Sequence, residues 1–500
     1  MLRMLGSARQ LCDGIPRRDL LRIGGLGAFG LTLDQALRLQ AAQAAPARGK
    51  GSFGRAKACI LLFPYGSPPQ HETFDPKPDA PSEIQGELKA MSTPVAGLQV
   101  CEALPRVARV MDRVTVVRSV THPYPLHGVA YALTGIPTYT PELETRSRDA
   151  RHWPYIGSLV DYLDERRTGE TQPTMPRNLC LPWQLNSRTD LDVSAGTYAA
   201  FLGQAYDPLC PSFDGPGLRT SPKYTEAQPR QFMDPFAATT PEGRFGLAPP
   251  GRLTETLSPA RLGLRRALLE QFDGARRGLE GSSEPRAWDT FQQRAFSLLT
   301  STRMRDALDI GREPAALREQ YGMSLFGQSC LAARRLVEAG SRFVTVFWDG
   351  YGQFAGCAWD THAFHYPRLK EYLLPGFDRA YSALLLDLEQ RGLLDDTLVL
   401  WMSEHGRTPQ IDSKPQGAGR HHWSRAYSVA LAGGGVPRGK VVGSTDPTGG
   451  EVHDTPVSPK DLLATTFHLL GISPETTVRD TQDRPFPIAG DGVVRPELLA

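Results

Sequence analysis

The 500-residue chain has no excess of charge of either sign. Its 56 basic and 54 acidic side chains leave a formal charge of +2, and no long single-sign run appears. That balance argues against a nucleic-acid binder or a polybasic membrane adhesin. Beyond its N-terminal region the chain lacks an apolar stretch long enough to cross a bilayer, so no stable membrane span is expected. It also lacks any C-x-x-C pair. After Cys12, the residues Cys59, Cys101, Cys180, Cys210, Cys330 and Cys357 are widely spread, which argues against zinc-ribbon chemistry. There is no internal repeat, and the stretch AGGGVPRGKVVG lacks the strand-to-helix spacing of a P-loop and reads as a turn.

The N-terminus carries a more specific signal. IPRRDLLRIGGLGAFGLTL places Arg17 and Arg18 ahead of a short Gly-rich apolar stretch, and LQAAQAAPA supplies an A-x-A cleavage candidate near Ala44 or Ala45. The apolar part, Ile23 to Leu33, is too short to span about 30 Å of hydrocarbon as a helix. Residues 1–45 therefore read as a twin-arginine signal, with the export machinery as a partner and a periplasmic or extracellular destination.

A linker over 46–56 leads into one large domain expected over 57–490, with 491–500 as a tail. KACILLFPYG reads as a buried strand, followed by a helical EALPRVARVMD and the strand RVTVVRSV. The pattern resumes with RFVTVFWDG, the helix LPGFDRAYSALLLDLEQRG, the strands TLVLWMS and YSVALAGGG, and a helix over SPKDLLATTFHLLG. This alternation predicts an α/β fold, a mostly parallel central sheet flanked by helices. Residues 170–250, rich in Pro and Gly, read as an irregular insertion, and 252–340 as a helix-rich segment.

In such a sheet, polar groups collect at the carboxyl ends of strands. FPYGSPPQHETFD offers His71, Glu72, Thr73 and Asp75, and VTHPYPLHG offers His122 and His127. WDGYGQFAGCAWDTHAFH brings Asp349, Asp360, His362 and His365; SEHGRTP brings Glu404 and His405; GRHHW brings His421 and His422. Six of the 11 histidines fall between 362 and 453, a clustering that favours a site. Imidazoles and carboxylates together suit divalent metals: one or two ions, zinc foremost, with manganese, iron or calcium as alternatives. His122, His365, His453 and His468 read as caps or packing residues, and His421 is expected to face away if His422 faces inward.

From CDGIPRRDLLRIGGLG through ETFDPKPDAPSEIQGEL, YALTG, WDTH, RGLLDDTLVLWMSEHGRTP and GRHHW to DLLATTFHLLGI, the chain resembles the twin-arginine-exported domain-of-unknown-function 1501 family. That family is similar in fold to the alkaline phosphatase and sulfatase superfamily. The resemblance implies that Asp360, His362, Glu404, His405 and His422 are metal ligands, with Glu72 and His127 as further candidates. It also implies that Arg407 and Arg420 face an anionic substrate group. Two features depart from the superfamily. Tyr65-Gly66 stands where Asp-Gly is usual, leaving Glu72 or Asp75 as substitutes. YPLHGVAYALTG offers no C/S-x-P-x-R nucleophile, which argues against formylglycine chemistry. Thr73, Ser67 and Thr121 are hydroxyl candidates, and a metal-activated water is the alternative attacker. The function these features imply is a metal-dependent hydrolase of phosphate or sulfate esters, its substrate an anionic small molecule or a glycan ester. The alternative is a non-catalytic protein of the same fold that binds a glycan, an anionic ligand or a cell-envelope partner.

Overall fold

The computed structural model describes residues 51–500 except 125–127, 139, 172, 189–192, 224–229, 248–300, 352–357 and 414–416. The twin-arginine segment and His127 thus lie outside the described residues.

Seven strands make the central sheet: β1 (Ala58–Pro64), β2 (Val114–Val120), β3 (Asn178–Leu181), β4 (Phe343–Trp348), β5 (Thr397–Trp401), β6 (Tyr427–Ala432) and β7 (Lys440–Val442). Their order is β7-β2-β6-β5-β1-β4-β3. The pairings of β1 with β4 and β5, of β4 with β3 and of β7 with β2 are parallel; only β6 runs against its neighbours. β1, β4 and β5 are buried at every position. That is the signature of a sheet covered on both faces.

Alternation along each strand sorts the side chains between two cores. Ile60, Leu62, Val399 and Trp401 enter one; Leu61, Phe63, Leu398 and Leu400 enter the other. The helices α3 (Leu325–Glu338) and α4 (Leu374–Gln390) contribute to the first core. The second is covered by α1 (Val129–Thr134), α2 (Ile156–Thr168) and α5 (Pro459–Leu469). α5 starts where the sequence predicts it: Ser458 and Asp461 form a reciprocal cap, with Pro459 in the first turn.

Two edge strands differ from expectation. Asn178–Leu181 lies inside the stretch read as irregular, and Lys440–Val442 inside a stretch read as a turn. Both are too short to show a periodic signal, and each pairs on one side only. The rest of 170–250 includes small antiparallel pairs, Ser212–Asp214 with Arg244–Gly246 and Thr220–Lys223 with Arg230–Met233. From residue 301 onward the helix-rich expectation meets helices Thr302–Leu308, Ala315–Tyr321 and α3; the earlier part is outside the described residues. Ala56 and Leu498, in the stretches read as linker and tail, are buried. No helix among the described residues is long and apolar enough to cross a membrane.

Candidate metal centre

The carboxyl edge of the sheet gathers four pieces of chain. β1 runs out into Tyr65-Gly66-Ser67, β4 into Asp349 and, further on, Trp359–His362, and β5 into Ser403-Glu404-His405. The fourth piece arrives because β6 is reversed. Its start, not its end, lies at this edge, so the preceding GRHHW is delivered there. A short antiparallel pair then locks Arg407 opposite His422.

Backbone contacts fix Asp360 and His362. The Trp359 N–H donates to the Tyr65 carbonyl at 3.0 Å, and the Arg420 N–H to the Thr361 carbonyl at 3.2 Å. Gly66 and Gly419 allow the close approach: a Cβ on Gly66 would lie 2.4 Å from the Asp360 nitrogen, and one on Gly419 1.9 Å from the His362 carbonyl oxygen.

Within this frame Asp360 Oδ1, His362 Nε2 and His422 Nε2 converge. Each carboxylate-to-imidazole separation is 3.0 Å, and the two Nε2 atoms are 3.0 Å apart. Among the described residues these three form the group of acids and histidines whose ligand atoms all lie within 4.8 Å. Donors around a tetrahedral zinc with bonds near 2.0–2.1 Å stand about 3.3 Å apart, so a small expansion seats a cation. Two imidazoles and a carboxylate are also the donor set of an open, three-ligand zinc site. The residues present therefore fit a divalent metal.

His405 stacks beside this group, its ring 4.4 Å from that of His422. Its Nδ1 lies 2.8 Å from the Gly406 carbonyl, which can only accept, so the proton sits on Nδ1 and Nε2 carries the lone pair. Glu404 is fully buried and accepts the Gly66 N–H at 2.8 Å and the Ser403 hydroxyl at 2.5 Å. This carboxylate at the end of a buried strand ties β5 to the turn after β1.

The two arginines are enclosed completely. Arg407 donates to Asp360 Oδ1 and to the carbonyls of Gly66, Ser67, Trp359 and Arg420. Its position makes it a clamp across three segments that also holds Asp360 in place. Arg420 pairs with Glu72 at 2.6 Å and donates to the carbonyls of Thr408, Pro409 and Ile84. Burial would raise the Glu72 carboxyl, but Arg420 and then His365 outweigh it and hold it well below the usual carboxylate range. The Thr73 hydroxyl donates to the Pro69 carbonyl at 2.8 Å. Glu72 and Thr73 are thus engaged by neighbours other than the group of three. His122 donates from Nε2 to the Glu404 carbonyl at 2.8 Å and accepts the Tyr124 N–H on Nδ1 at 3.2 Å.

A cavity of about 450 Å³ adjoins the centre, its lining including His405, His422, His122, Tyr124, Trp423 and Arg425. This is the size of a small-ligand site. Sequence reasoning did not single out the lining residues Tyr124 and Trp423, although both lie in stretches it used, VTHPYPLHG and GRHHW. His421, expected to face away if His422 faces inward, is not one of the three converging donors, but its Nδ1 lies 2.9 Å from His362 Nδ1. An imidazole has nitrogens on both edges, and His362 engages His421 with one and His422 with the other.

No curated protein matches the chain. Among solved structures it is similar to the lipoteichoic acid synthase LtaP from Listeria monocytogenes, at 11% identity over 89% of this chain and 77% of that one, with a TM-score of 0.35. It is similar to the PsFucS1 sulfatase from Pseudoalteromonas sp. at 12% identity, over 87% and 70% of the two chains, with a TM-score of 0.36. The phosphonate monoester hydrolase of Agrobacterium radiobacter is 11% identical over 88% and 77%, with a TM-score of 0.37. Residues 56–499 match the family described as "Protein of unknown function (DUF1501)", and the chain belongs to that family.

Proposed function

We propose that the protein is a divalent-metal-dependent hydrolase of phosphate or sulfate esters, with Asp360, His362 and His422 as its metal ligands. The observation that carries this reading is the convergence of these three donors at 3.0 Å beside a cavity of about 450 Å³. A divalent cation held there supplies a Lewis acid that acidifies water and offsets the charge of an anionic ester.

The chain's own residues do the positioning. Arg407 and the Gly66 turn hold Asp360, and the Arg407–His422 pairing holds His422. The hydroxyls of Thr73 and Ser67 bond the Pro69 carbonyl and Ser403, which favours water over these two side chains as the attacking oxygen. With residues 1–45 read as an export signal, the reaction takes place outside the cytoplasm in this proposal.

One observation favours the non-catalytic alternative: Arg407 and Arg420 are spent on protein acceptors, so neither presents its fork of donors to an anion. The test is zinc retention after desalting, with Asp360→Ala and His422→Ala in parallel, followed by assays on 4-nitrophenyl phosphate and 4-nitrophenyl sulfate. About one equivalent of zinc, lost in both variants, together with zinc-dependent turnover is the expected result. Zinc without turnover of either ester moves the protein to the binding reading; no zinc at all sinks the metal centre.

A further inference from the structure

Behind the proposed centre runs a line of hydrogen-bonding groups that starts from one of its three ligands. His362 Nε2 faces Asp360 and His422, while its Nδ1 lies 2.9 Å from His421 Nδ1. On the far side, His421 Nε2 lies 2.9 Å from Asp412 Oδ2. The direction of donation follows from the last member. A carboxylate only accepts, so His421 Nε2 carries a proton and points it at Asp412. Neutral His421 then has its lone pair on Nδ1, which accepts a proton donated by His362 Nδ1. That leaves the lone pair of His362 on Nε2, aimed at the centre.

The backbone holds this line rigidly. Asp412 and Gly419 exchange backbone hydrogen bonds at 2.8 and 2.9 Å, and the Thr408 N–H donates to the His421 carbonyl at 2.8 Å. The Thr408 hydroxyl accepts the His421 N–H at 3.0 Å. Gly419 passes so close to His362 that no side chain fits between them.

We infer that His421 and Asp412 are positioning residues for the metal centre: they select the tautomer and orientation of His362 that ligate. This rests on the metal reading given above. The side chains of His421 and Asp412 are 43% and 40% exposed. A pair so exposed contributes little to folding, typically 0–1 kcal/mol, so any large effect must pass through His362.

The experiment is calorimetric titration of the metal-free, full-length protein with zinc, alongside His421→Ala, Asp412→Asn, His421→Gln and the double variant His421→Ala/Asp412→Asn. His421→Ala is expected to weaken zinc binding by about 10- to 100-fold. Asp412→Asn is expected to weaken it less, and to add nothing in the His421→Ala background, because the line is already cut. His421→Gln should regain most of the affinity, since its amide can accept from His362 and donate to Asp412. The urea midpoints of the metal-free variants should match that of the parent. Parent-like zinc affinity in His421→Ala overturns the inference while leaving the three-ligand centre intact, and so do losses that multiply in the double variant. A parent protein that takes up no zinc overturns both.

Discussion

Asp349 closes β4 with a carboxylate that is almost wholly enclosed. Its Oδ2 accepts the Trp183 indole N–H at 3.0 Å and the Asn186 N–H at 2.9 Å. Burial pushes its pKa from an ordinary 3.8 up to about 7, and these hydrogen bonds offset only part of that rise. The folded chain therefore keeps a proton between about pH 4 and pH 7 that the unfolded chain has released. The contribution to stability is full below about pH 4, falls as pH rises, and is lost above about pH 7. At about 1.4 kcal/mol per pH unit the loss is on the order of 4 kcal/mol. Asp349→Asn keeps the acceptor and removes the titration. Urea unfolding should show the variant gaining on the parent by roughly that amount from pH 4 to pH 8. Equal pH slopes for the two proteins would discount a buried, protonated Asp349. The sequence shows this residue as one of the polar groups at a strand end; its enclosure comes from Trp183 and Asn186, more than 160 residues away in the chain, and no local pattern announces that.

At the scale of elements, the legible parts were long and buried, and the illegible ones short or reversed. β1, β4 and β5 appear in the sequence as near-continuous apolar runs, and each forms within a residue or two of the expected place. β3 and β7, of four and three residues, did not register. GRHHW comes just before β6 in the sequence, and only the reversed direction of β6 explains why the start of that strand serves the carboxyl edge. The turn after β1 is constrained in both conformation and space. Gly66 has φ +90, and a Cβ there would meet the backbone of Asp360 at 2.4 Å. Gly392 has φ +67 with nothing within 4 Å of a Cβ. Gly392→Ala should lose only the backbone term, about 1–3 kcal/mol. Gly66→Ala should lose more in urea unfolding, and the folded fraction should bind zinc more weakly because Asp360 is displaced. Matching losses in the two variants, with equal zinc affinity, would mean that the Gly66 turn does not set the position of Asp360.

For the molecule as a whole, the centre exists only when the chain is folded. Asp360 and His362 follow β4, whereas His422 comes 60 residues after His362 and is delivered by β6. The sequence brought these residues into view through their resemblance to a family pattern, and included Glu404 and His405 with them. In the folded arrangement three of these five bring their ligand atoms within 4.8 Å of one another. Glu404 bonds the Gly66 turn, His405 bonds the Gly406 carbonyl, and the other three converge. An ion that binds the folded chain and not the unfolded one stabilises it by mass action, about 2.7 kcal/mol at a hundredfold excess over its Kd. Zinc at that excess should therefore raise the urea unfolding free energy by about this amount, and a chelator should reverse the gain. His422→Ala should abolish the effect, since it removes one of the three proposed ligands. His405→Ala should retain most of it if the three proposed ligands hold the ion without that ring. If His405→Ala instead abolishes the gain as fully as His422→Ala does, His405 is a fourth ligand, and the centre closes around its ion when the ion binds.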